Sequence, residues 1–124
     1  MDRTFVNLTN HPSARWCEAQ RRAALEYGPI VDLPFPNVPE DASLAEVDEL
    51  ARSCLKTLRS AASLVVLVQG ESVFTYRLVR LLEQAGIPAL ACVSRRRVRE
   101  TCLPDGSTRK TAYYVFAGFR RYWE

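Results

Sequence analysis

The chain is poor in the residues and motifs that most enzyme classes need. It has one histidine and one methionine in 124 residues, and its four cysteines include no CxxC pair. With a single imidazole, any histidine acid or base must be His11. Cys17, Cys54, Cys92 and Cys102 lie far apart; they fit neither zinc-ligand spacing nor a disulfide framework and read as reduced packing residues. No apolar stretch approaches the ~20 residues that span a bilayer. Met1-Asp2-Arg3-Thr4 lacks the apolar segment of a signal peptide. A cytoplasmic protein without membrane contact is therefore expected. A P-loop lysine pattern, GxGxxG, HExxH, a GxSxG elbow and a carboxylate cluster for a metal pair are all missing. These gaps count against kinase chemistry, hydride transfer and metal-assisted hydrolysis, and neither cofactor nor metal is expected.

What is present is enough apolar residue, 48%, for one domain spanning residues 1–124. The run Leu64-Val65-Val66-Leu67-Val68 reads as a strand buried on both faces, the habit of parallel sheets covered by helices. It stops at Gln69-Gly70-Glu71-Ser72, where a helical pattern begins. Ahead of it, Thr4–Thr9 reads as a first strand ended by Asn10-His11-Pro12-Ser13. Ser13 then fits an N-cap for a helix that carries Trp16, Gln20, Ala23, Ala24 and Tyr27 and closes at Gly28. Ile30–Leu33 is a short second strand, and the three prolines between Pro34 and Pro39 exclude regular structure there.

Ser43-Leu44-Ala45-Glu46 has the form of a capping box, followed by the apolar stripe Val47, Leu50, Ala51, Cys54, Leu55 and Leu58. A third helix carries Phe74, Leu78, Leu81, Leu82 and Ala85 up to Gly86, and Ile87–Val93 is a fourth strand. Beyond it, Val98–Leu103 and Thr111–Phe119 flank the turn residues Pro104-Asp105-Gly106-Ser107 and read as a hairpin. The expected architecture is a three-layer α/β domain whose parallel sheet has order 2-1-3-4, extended by a C-terminal antiparallel hairpin.

Right-handed crossovers bring the ends of strands 1, 3 and 4 to one sheet edge, and the switch in winding between strands 1 and 3 is where such sheets open a crevice. Gly70 permits close backbone approach, and Ser72 at the helix start leaves amide donors for an anion. Glu71 could accept a ribose hydroxyl or pair with Arg95 or Arg97. The strand-4 end, Ser94-Arg95-Arg96-Arg97, offers guanidiniums for a phosphodiester, with Arg95 and Arg97 on one side and Arg96 on the other. Trp16 and Tyr76 are within reach for base stacking, although Trp16 also fits the apolar face of its helix as a core residue, and Tyr76, off its helix's apolar stripe and the better stacking candidate, could instead belong to a dimer contact. Charge agrees: residues 95–124 hold eight Lys or Arg against three acids, whereas residues 1–94 hold nine against eleven.

The three segments Asn7–Ser13, Val68–Glu71 with Thr75-Tyr76, and Ser94–Val98 resemble the small CRISPR-associated Rossmann-like proteins related to CARF domains. The resemblance implies a homodimer that binds a cyclic oligoadenylate second messenger across its two-fold axis and has no long nucleic acid as partner. In ring nuclease members of that group it also implies metal-free cleavage to linear products with 2′,3′-cyclic phosphate ends, a step that ends an antiviral signal. By analogy Ser13, Glu71, Ser94 and Arg97 would line the ligand, with Asn10, Gln69, Gly70, Ser72, Tyr76 and Arg95 around them and His11 or Ser13 assisting attack. No family catalytic residue maps onto a single position here. Two further readings share the pocket: a protein that only binds or sequesters a nucleotide messenger, and a glycosidase using Glu71 as nucleophile.

Overall fold

A strand that is apolar at every position needs cover on both faces, and the chain supplies it by alternating strands with helices. The computed structural model describes residues 3–61 and 63–124; Met1 and Asp2, at the head of the segment read above for a leader, lie outside the described residues. The elements run β1 (Thr4–Thr9), α1 (Glu18–Leu25), β2 (Ile30–Asp32), α2 (Leu44–Leu58), β3 (Leu64–Gln69), α3 (Ser72–Gln84), β4 (Ala89–Cys102) and β5 (Thr108–Arg121). They form one sheet of order β2-β1-β3-β4-β5, parallel except for the antiparallel β4–β5 pair. This is the expected α/β order with its terminal hairpin. Among the described residues, no helix is long and apolar enough to cross a membrane.

The strand period of two divides the core. Val6, Leu8, Val66 and Val68 point to the side covered by α2 and α3, where they meet Val47, Ala51, Phe74, Leu78 and Leu82. Phe5, Val65, Leu67 and Leu90 point to the other side, under α1, and meet Ala24, Trp16 and Phe119. Val65, Val66, Leu67 and Val68 are all fully buried, and each such side chain contributes roughly 1.5–3 kcal/mol by leaving water. Helix α2 starts at the capping box read from the sequence, with the Ser43 hydroxyl accepting from the Glu46 amide and Glu46 accepting from the Ser43 amide.

Two expectations are corrected. Ser13 does not cap α1. Ser13–Arg15 is a separate turn of 3-10 helix, Trp16 is extended (ψ 150°), and α1 starts after Cys17. The break follows from anchoring: the Trp16 ring meets Phe5 edge-on at 6.1 Å and its Nε1 donates to the His11 carbonyl. The second correction concerns Ser94–Arg97, which is not a loop. β4 is one strand through Cys102, because its residues from Leu90 onward find ladder partners on β5, apart from a bulge at Val93/Ser94. It pairs with β3 only at Ala89 and Leu90. The part from Ser94 to Cys102 therefore leaves the sheet as a two-stranded ribbon, about 30 Å long at 3.4 Å per residue.

Candidate functional site

The sheet edge at the C-terminal ends of β1 and β3 opens into a cavity of about 540 Å³ on the α1 side, within the roughly 300–1,000 Å³ of small-molecule sites. Its floor is Leu67 and Cys92. Around it stand Asn10 and His11 from the loop after β1, Gln69 and Gly70 from the end of β3, and Ser94 with Tyr114 and Phe116 from the ribbon. Arg15, Trp16, Cys17 and Gln20 close it from the α1 side.

A network that begins inside the sheet fixes the loop carrying His11. Asn7 is the one buried polar residue of the described core, and its side chain is fully used: Nδ2 donates to the His11 carbonyl (2.9 Å) and to Asp32 (3.0 Å), while Oδ1 lies 2.8 Å from the Thr9 hydroxyl. Thr9 also accepts the His11 amide at 3.1 Å. Asp32, at the end of β2, takes the amide and hydroxyl of Ser13. A buried amide with all partners met holds one geometry, so the exposed His11 ring projects from a rigid backbone.

Of the residues read as a site, the cavity gathers Asn10, His11, Gln69, Gly70 and Ser94, with Trp16, read as a stacking candidate, on its wall. The others lie elsewhere. Ser13 is turned to Asp32. The Glu71 carboxylate accepts the Val73 and Phe74 amides as the N-cap of α3; the donors expected to face an anion behind Ser72 are thus taken by the protein's own carboxylate. Among the described residues Glu71 forms no ion pair with Arg95 or Arg97. Ser72 and Tyr76 line a separate groove on the α3 side, with Gln69, Gly70, Thr75, Val79 and Tyr122, and Arg80 stacks on the Tyr76 ring at 5.9 Å. Gly70 is needed for packing: a Cβ there would lie 2.2 Å from the Phe35 ring.

The arginines are placed opposite to expectation. Ladder partners share a face, and Arg96 pairs with Tyr114, which lines the cavity, whereas Arg95 and Arg97 pair with Val115 and Tyr113. Arg96 thus extends the cavity side, and Arg95 and Arg97 belong to the far face. Sequence reasoning also missed Arg15, Cys17, Gln20, Cys92, Tyr114 and Asp32. Asp32 was within reach, since β2 ends at the same edge in the 2-1-3-4 order. Cys92 could have been found from its alternation with Leu90 and Ser94.

All four cysteines are free thiols. Burial pushes the Cys92 thiol up to about 11, with Cys17 adding to the effect, and Gln20 donates to its sulfur at 3.4 Å. Cys92 is therefore a neutral wall of the cavity at physiological pH. Among the described residues, no three His, Cys, Asp or Glu side chains cluster as a metal site.

Among the described residues the cavity thus offers amides, the Thr9 and Ser94 hydroxyls, one imidazole, one lining guanidinium and three aromatic rings, one of them a phenol, at the topological switch point of an open α/β sheet. That set suits a ligand with a planar base and an anionic group. No curated protein matches the chain. A family model described as "Uncharacterized protein MJ1673 family" matches residues 3–120, and the chain belongs to that family.

Proposed function

We propose that the chain binds a cyclic oligoadenylate in this cavity and opens it by metal-independent attack of a ribose 2′-hydroxyl on the adjacent phosphorus, as a cytoplasmic ring nuclease of CRISPR antiviral signalling. The observation that carries the reading is the meeting of His11, Arg15 and Ser94 on one cavity walled by Trp16, Tyr114 and Phe116. The aromatic rings supply stacking surfaces for bases. Arg15, with Arg96 one rung further out, supplies charge for a phosphodiester. His11 takes the proton of the attacking 2′-hydroxyl; the new O2′–P bond gives a 2′,3′-cyclic phosphate as the P–O5′ bond breaks, and the leaving 5′-oxygen takes up a proton from water. Alignment and charge stabilisation are the main requirements of this reaction. One cavity is small beside a ring of four nucleotides, which favours a homodimer joining two cavities around one ring.

A binding protein without cleavage is the second reading. It is favoured by the engagement of Ser13 and Glu71 in structural hydrogen bonds, which leaves His11, among the described residues, without a carboxylate partner in the cavity. The same engagement of Glu71 weighs against a glycosidase nucleophile. Incubation with cyclic tetra-adenylate in EDTA, with products resolved by chromatography, separates the readings. Linear products with 2′,3′-cyclic phosphate ends support the nuclease, an intact retained ring supports the binder, and free adenine or no interaction overturns both.

A further inference from the structure

The face of the ribbon turned away from the cavity carries a second, independent set of groups. Along β4 the alternate residues Arg95, Arg97, Arg99 and Thr101 share it, and their ladder partners on β5 are Val115, Tyr113, Thr111 and Arg109. Four guanidiniums thus stand on one exposed face with no carboxylate among these eight positions. The cavity-side face differs: there Glu100 pairs across the ladder with Lys110 at 3.7 Å. Arg99 stacks on the Tyr113 ring at 5.6 Å, and Arg99, Thr101, Arg109, Thr111 and Tyr113 enclose a shallow groove of about 360 Å³.

Four like charges gathered on one face repel one another, and a two-stranded ribbon outside the sheet is only marginally stable by itself. A polyanion lying along this face removes that repulsion. Arginines at alternate positions repeat every ~6.8 Å, an evenly spaced row that suits a backbone with a charge on every unit better than one compact anion. Tyr113 and Val115 stand 41% and 44% exposed within the row, and an aromatic ring set among guanidiniums is the combination that holds single strands through base stacking and phosphate contacts.

We propose that this face binds a single-stranded polynucleotide, its phosphates on Arg95, Arg97, Arg99 and Arg109 and a base stacked on Tyr113. The site is separate from the cavity and does not depend on the ring nuclease reading. The four contacts set a salt dependence: the logarithm of affinity falls against the logarithm of salt with a slope of about −3, at roughly 0.7 per phosphate on a single strand. Fluorescence anisotropy of a labelled oligouridylate long enough to span the ribbon tests it, with the full chain.

Saturable binding with that slope is expected, and Arg97→Gln with Arg99→Gln should lower the slope by about 1.4 and weaken binding at least tenfold. Lys110→Gln, on the other face, should change neither. All three positions are exposed, so circular dichroism of the variants serves as the check on folding. Failure to bind at low salt overturns the proposal, as does equal binding by the double variant or affinity for anionic vesicles without affinity for the oligonucleotide. Competition by cyclic tetra-adenylate at equal strength in both proteins would put the oligonucleotide in the cavity and also overturn it.

Discussion

Ser13 gives both its amide and its hydroxyl to the carboxylate of Asp32, at 3.3 and 3.0 Å, and so fastens the loop after β1 to the end of β2. Asn7 donates to the same carboxylate and to the His11 carbonyl. Removing the carboxylate in Asp32→Ala leaves one buried amide donor and two loop donors without their acceptor. The expected cost is about 1–3 kcal/mol, read as a lower urea midpoint. Turnover of a cyclic oligoadenylate should also fall, because His11 then sits on a looser frame; unchanged turnover would separate Asp32 from the site.

Glu71 closes the first turn of α3. Glu71→Ala should cost about 1 kcal/mol of stability through the lost cap and leave turnover of a cyclic oligoadenylate unchanged. Chemical denaturation and the chromatographic assay on the same preparation measure both. Abolished turnover in a folded Glu71→Ala protein would return the carboxylate to the chemistry.

Gly70 and Phe35 test packing against ligand approach. Gly70→Ala drives a methyl into the Phe35 ring, with nearest atoms at 2.2–2.7 Å, and overpacking of this kind costs roughly 1–3 kcal/mol. Phe35→Leu in the same chain should recover part of that loss, so the two changes are strongly non-additive in thermal unfolding. Additive losses would mean that the glycine serves something other than the ring.

The contrast between Glu71 and Val66 shows how far the sequence was legible. The β3 run, the capping box at Ser43 and the α3 stripe were readable because burial and capping impose periods of two or 3.6 and fixed offsets. The strand order followed from those elements and crossover handedness. The ends of the strands were readable as a place, and Asn10, His11, Gln69, Gly70 and Ser94 do meet there. Roles within the site were not readable, since they depend on which acceptor each side chain reaches. A carboxylate before a helix binds a ligand or caps the helix, and only the fold decides. The arginines face the sides opposite to those expected because β4 runs on past Val93, and its register with β5, which the sequence pattern does not show, places Arg96 beside Tyr114.

Two partly buried thiols predict alkaline behaviour. Burial raises Cys54 to about 11, and burial with the nearby Cys17 raises Cys92 to about 11, from an ordinary 9.0. The folded state therefore holds these protons after the unfolded chain has released them, and stability falls as pH rises from about 9 to about 11. Cys54→Ser with Cys92→Ser should flatten that fall, measured by denaturation midpoints across the range. At pH 8 the exposed Cys17 and Cys102 should alkylate first. Preferential labelling of Cys92, seen by peptide mass mapping, would contradict the burial argument.

The central claim is that the His11–Arg15–Ser94 cavity takes a cyclic oligoadenylate. Calorimetric titration of cyclic tetra-adenylate in EDTA into the unaltered chain and into His11→Ala and Arg15→Gln is the most direct measurement. The account predicts saturable binding at one ring per two chains, near-unchanged affinity in His11→Ala, and affinity lowered about tenfold or more in Arg15→Gln by loss of a charged phosphate contact. Absence of heat with the unaltered chain, or equal affinity in Arg15→Gln, would contradict it.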